Sequence, residues 1–96
     1  MSNDFPDDLP AALRSVHTKP LFVMRLNVSP LQILGQTPTA YRRVGVVPGG
    51  TFSGARLNGE VLDGGSDWQA VRSDGSTTLN VRLVLKTHDQ ELIGMT

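Results

Sequence analysis

Thr77-Thr78-Leu79-Asn80-Val81-Arg82-Leu83-Val84-Leu85-Lys86-Thr87 decides how this chain is read. Leu79, Val81, Leu83 and Leu85 recur at every second position, and Asn80, Arg82, Val84 and Lys86 alternate with them. Successive side chains of a strand point to opposite sides, so a period of two places the two sets on opposite faces. One face is apolar and the other mixed, which is the pattern of a sheet with a single buried face.

The pattern extends in both directions. Upstream, Ser73-Asp74-Gly75-Ser76 is a hairpin signal, because Asp-Gly tolerates the positive φ angles of tight turns. It returns the chain to a strand over Asp67–Arg72, which Asp63-Gly64-Gly65 precedes as a turn. Ala55 to Leu62 alternates again and reads as one strand with a glycine bulge at Gly59. Thr51-Phe52 is a short extended piece behind the Pro48-Gly49-Gly50 break. In Tyr41–Val47, Val44 and Val46 share one face while Tyr41, Arg43 and Val47 share the other. Leu31–Gly35 is a short apolar piece. In Leu21–Val28, Phe22, Met24, Leu26 and Val28 oppose Val23, Arg25 and Asn27, and Ser29-Pro30 ends the strand. Downstream, His88–Gln90 makes a turn and Glu91–Met95 starts a last strand.

Six or seven strands with short connections and no long helix predict an all-β fold. The expected architecture is an antiparallel up-and-down meander, barrel-like and incomplete. The last strand has no partner after it in the sequence, and an unpaired edge favours pairing with another copy. A homo-oligomer through that edge is therefore expected. Residues 1–19 hold Pro6, Pro10 and the acidic Asp4, Asp7 and Asp8, and read as a flexible leader to a domain over 20–96.

Composition narrows the function classes. The 96 residues make one domain, with nine basic and nine acidic side chains and no cysteine. The absence of cysteine fits a reducing cytoplasm, the expected location. Arg42-Arg43 is the only basic pair, so no phosphate-tracking groove and no nucleic-acid partner are expected. No apolar run is long enough to span a membrane, and the acidic start is unlike a signal peptide.

From Pro48 onward the blocks form an ordered series. Pro48-Gly49-Gly50-Thr51-Phe52-Ser53-Gly54 leads to Leu57-Asn58-Gly59-Glu60-Val61-Leu62. Gly64-Gly65-Ser66-Asp67-Trp68-Gln69, Val71-Arg72-Ser73-Asp74-Gly75 and Leu79-Asn80-Val81-Arg82 follow. Together with the opening Pro20-Leu21-Phe22, this resembles domain-of-unknown-function family 3237, also called uncharacterised protein family 0311. The resemblance covers about residues 20–96. It implies a small antiparallel β-barrel of bacterial and fungal proteins with no settled general activity. Members continue beyond the strand at Glu91, so the chain is expected to hold the first two-thirds of the domain. In the last turn, His88-Asp89-Gln90, the family pattern expects a glycine after the aspartate.

The candidate site residues follow from their types. Trp68, the only tryptophan, either stacks a planar ligand or fills the core. Arg82 lies mid-strand and, if buried, needs a carboxylate or an anion. Asn80 shares its face, and the Asp74-Gly75 hairpin brings Arg72 near. Trp68, Arg72, Asn80 and Arg82 are therefore the expected ligand-binding set. Arg25 and Arg43 are assigned to polar faces outside a site. His17 and His88 are too isolated for a zinc pattern, so no metal site is expected, and no cofactor motif is read.

Three functions compete. The first is binding of a small polar or planar organic molecule inside the barrel. The second is acid–base catalysis of the isomerase, cyclase or hydratase type, with Asp67 as base and Arg82 steadying negative charge. The third is a non-catalytic assembly protein.

Overall fold

A computed structural model describes residues 8–96. Residues 1–7 of the expected leader lie outside the described residues. The remainder of that segment holds one 3-10 turn at Ala11–Leu13, with no buried residue. Eight strands follow: β1 Val23–Asn27, β2 Gln32–Gln36, β3 Tyr41–Val47, β4 Gly49–Ser53, β5 Gly59–Val61, β6 Gly65–Val71, β7 Thr77–Thr87 and β8 Leu92–Met95. All pair antiparallel. The strand order is β1-β4-β5-β7-β6-β3-β2, with β8 also on β7.

That order hides a simple meander. Val23 faces Ser53 and Asn27 faces Gly49, and the same register runs on to Gln32 facing Val44 and Ile33 facing Arg43. β1 and β2 are thus two halves of one bent strand along β3 and β4. β3 with β4 then lies along β6 with β5, from Tyr41 opposite Val71 to Phe52 opposite Gly59. β7 alone is uninterrupted. It pairs with β6 through Thr77–Arg82, with β5 through Leu85–Thr87 and, on its other side, with β8. The bends fall where proline or glycine interrupts the ladder: Ser29-Pro30, Pro48 and Leu62-Asp63-Gly64.

Two expectations change. The apolar piece near Leu31 is a full strand, so there are eight strands, not six or seven. Ala55–Leu62 is not one strand, because β4 and β5 are antiparallel neighbours and the chain must reverse between them. Residues 54–58 make that reversal, where Asn58 Nδ2 donates to the Gly54 carbonyl at 3.5 Å and His88 N–H donates to the Asn58 carbonyl at 3.0 Å.

The sheet does not close. The chain measures 51 × 43 × 18 Å, and its radius of gyration is 18.3 Å, against about 12–13 Å for a compact domain of this length. The core sits on one face, at one end. Val47, Phe52, Val61, Leu83 and Leu85 are buried, with Phe22, Met24, Leu57, Val81 and Ile93 packed against them. Phe22 and Phe52 meet edge to face at 5.5 Å. Gly65 permits this packing: a Cβ there would stand 2.7 Å from Leu83 Cδ2. We call this face inner and the opposite one outer.

Candidate functional site

β6 carries both candidate clusters, one on each face. Asp67 pairs with Gly45 and Val81, and Gln69 with Arg43 and Leu79. These rows continue the inner face. Arg43 Nε donates to Gln69 Oε1, and Gln69 Nε2 donates to Asp67 Oδ2 at 2.9 Å. Asp67 Oδ1 is buried with no partner. Gly45, opposite Asp67, has no side chain, and Val28 and Leu31 lean over it: a Cβ there would lie 3.1 Å from Val28 Cγ1 and 3.3 Å from Leu31 Cδ2. A carboxylate with one oxygen fixed and the other unsatisfied therefore sits in an apolar surround. Such an orphan costs about 1–3 kcal/mol, so it calls for an explanation.

The outer cluster holds three of the four expected ligand residues. Trp68 pairs with Val44 and Asn80, while Ser66 pairs with Val46 and Arg82. Arg42 stands one row further on, opposite Ala70. Arg42, Ser66, Trp68, Asn80 and Arg82 line an open depression of about 380 Å³. Trp68 is 45% exposed, so it does not fill the core; its cross-strand partner Val44 is buried. Arg82 is exposed and needs no buried counter-ion.

Arg72 lies apart from this depression. It donates through Nη1 to Ser76 Oγ at 3.4 Å and through Nη2 to Thr78 Oγ1, tying the β6–β7 turn. Asp67 and Arg82 lie on opposite faces, because Asp67 faces Val81 and Arg82 faces Ser66. They cannot serve one substrate as the expected base and charge-steadying pair. Trp68, Asn80 and Arg82 stand on the face opposite the core cluster.

Sequence reasoning left Arg43 and Gln69 out of the expected set, although Gln69, two residues from Asp67 on one strand, was legible as sharing its face. What it lacked was the register that sets Arg43 across from Gln69. Among the described residues, no group of three metal-ligating side chains gathers, and no helix is long and apolar enough to cross a membrane.

The profile of a family described as protein of unknown function (DUF3237) matches residues 16–96. The chain belongs to this family. A UPF0311 protein of Clostridium acetobutylicum is 32% identical over 79 residues, which are 80% of this DUF3237 chain and 49% of that protein. A solved structure of a protein with unknown function from the same organism superposes with a TM-score of 0.74 at 31% identity, over 79% of this chain and 52% of that one. A β-barrel-like protein from Acinetobacter baumannii gives 0.64 at 31% identity, over 82% and 55%. The DUF3237 chain thus spans about half the length of these relatives, less than the two-thirds expected from its sequence. Its open sheet is the all-β, barrel-like architecture expected.

Proposed function

We propose that the inner face of this DUF3237 chain forms one wall of a barrel cavity that binds a small organic molecule. The ligand has an apolar body and one polar end. The orphan Oδ1 of Asp67 carries this reading. A hydroxyl or N–H of the ligand donates to that oxygen, and the terminal amino groups of Arg43, which make no hydrogen bond among the described residues, donate to a ligand acceptor. Ile33 and Leu79, both more than half exposed on this face, supply apolar contact. A few convergent polar groups in an apolar wall is the usual make-up of a small-molecule cavity.

The test is native mass spectrometry of gently purified protein, wild type beside Asp67→Ala and Arg43→Gln. The expected result is a co-purifying small mass that both variants lose while circular dichroism stays unchanged. Retention of the same mass by both folded variants would remove the proposal.

Acid–base catalysis is a second reading of the same carboxylate. Gln69 fixes Oδ2 and leaves Oδ1 as the proton acceptor. Arg43, not Arg82, is then the cation on the substrate's side of the sheet. An Asp67→Asn variant that keeps the ligand but loses pH-dependent turnover separates catalysis from binding.

A further inference from the structure

We infer that the outer face of β3, β6 and β7 is a second binding site, independent of the inner face, which takes a planar aromatic carboxylate stacked on Trp68 between Arg42 and Arg82. Three observations carry it. First, Trp68 is 45% exposed in the middle strand of the three, which leaves indole surface in solvent for a ligand to contact. Second, Arg42 and Arg82 are its diagonal neighbours on either side: Arg42 lies opposite Ala70 on β3, and Arg82 opposite Ser66 on β7. Diagonal cross-strand positions stand about 7–8 Å apart, within reach of long side chains. Third, neither guanidinium makes a hydrogen bond or ion pair among the described residues.

The neighbours fit the same ligand. From β2 to β7, the outer rows on either side of Trp68 hold Gln32, Val44 and Asn80, then Val46, Ser66 and Arg82, then Arg42, Ala70 and Thr78. No carboxylate stands in these rows, so the two cations share an unneutralised field. Arg82 presents a planar fork to a carboxylate, and Ser66 Oγ and Asn80 Nδ2 supply neutral donors beside it. The depression of about 380 Å³ suits a single ring with its substituents. Two guanidiniums are too few for a nucleic-acid backbone, whose binding rests on many phosphate contacts.

The chain reports on this site directly, because Trp68 is its only tryptophan. The experiment titrates the full chain with benzoate, benzamide and cyclohexanecarboxylate, reading Trp68 fluorescence and, in parallel, isothermal calorimetry. Benzoate is expected to give a saturable change that weakens with added salt. Benzamide keeps the ring without the charge, and cyclohexanecarboxylate keeps the charge without the aromatic face; both are expected to bind at least several-fold more weakly. Arg82→Gln weakens benzoate by about tenfold, as loss of a charge-assisted hydrogen bond does, and Arg42→Gln weakens it by a smaller factor through loss of nearby positive charge. Both arginines reach solvent, so circular dichroism is expected to stay unchanged in these variants. Equal binding of benzoate and benzamide overturns the anion site, and so does unchanged affinity in both folded variants. A benzoate titration that never saturates overturns the site altogether. The same variants leave Asp67 and Arg43 intact, so failure here does not touch the inner-face reading.

Discussion

The two ends of β7 have the same alternation and opposite fates. Leu83 and Leu85 are 5% and 2% exposed, whereas Leu79, on the same face of the same strand, is 59% exposed. The difference is not in the residues but in what lies over them. At the Leu85 end, Phe52, Phe22 and Met24 bend across from β4 and the β1 side and close the face. At the Leu79 end the inner-face row is Ile33, Arg43, Gln69 and Leu79, without a covering layer among the described residues. One strand thus runs from a formed core into an unformed one, and both candidate clusters lie at the unformed end.

The sharpest way to break this contrast is to truncate both ends. Leu85→Ala is expected to cost about 2–5 kcal/mol, since it removes a buried side chain and leaves a cavity. Leu79→Ala is expected to stay within about 0.5 kcal/mol, as exposed substitutions do. Urea denaturation followed by circular dichroism measures both. Equal losses would mean that the open end is covered in solution, by a second copy or by further chain.

The turns at the two ends sharpen the comparison further. At the open end, the β6–β7 turn uses Gly75 at φ 88°; at the core end, the β7–β8 turn places Gln90 at φ 73°. Both are left-handed conformations, in which a side chain costs about 1–2 kcal/mol and glycine costs nothing sterically. The glycine that the family resemblance led us to expect after Asp89 is therefore what the backbone asks for. Gln90→Gly is expected to raise stability by about 0.5–1 kcal/mol, the strain relieved less the added entropy of the unfolded chain. A thermal melt reads it. A loss instead of a gain would show that contacts of the Gln90 side chain outweigh the strain.

Much of this fold was legible because period two is robust where a strand is unbroken. The faces of β7, of Tyr41–Val47 and of Leu21–Val28 all followed from alternation alone. What alternation does not carry is parity across a break. Val47 and Phe52 both face the core, although one is odd and one even, because the chain slips by a residue around Pro48. Val28 and Leu31 likewise crowd the same space over Gly45 across Ser29-Pro30. Alternation told us that Asp67 and Arg82 could not share a face only once the register fixed β6 against β7. Nor could it say which face of β6 would carry the core, so the sequence did not show that Trp68, Asn80 and Arg82 stand opposite it. Arg43 was passed over because its role depends on Gln69, a partner 26 residues away in sequence.

The smallest expected effect is acid sensitivity, and it places one device at both ends. Asp74 accepts from Ser76 Oγ at 2.6 Å and from Ser76 N–H at 2.9 Å in the open-end turn. Asp89 accepts from Thr87 Oγ1 in the core-end turn. These hydrogen bonds favour the ionised carboxylates, so both groups titrate below the ordinary aspartate value of 3.8. A carboxylate with a lowered folded pKa contributes stability above its unfolded pKa and loses it as pH falls through the folded value. The contribution of both turns is therefore complete at neutral pH and disappears below about pH 3.8. NMR titration of the two carboxyl carbons is expected to place both midpoints under that of an unfolded peptide. Asp74→Asn and Asp89→Asn should each flatten part of the stability loss on the acid side. The hydroxyl partners set the two apart: Ser76 is exposed, whereas Thr87 is 7% exposed and also accepts from Glu91 N–H at 3.0 Å. If the core end is the one that holds the fold, acid loosens β8 through Asp89 before it unfolds the sheet, while the same protonation at Asp74 frays only the β6–β7 turn.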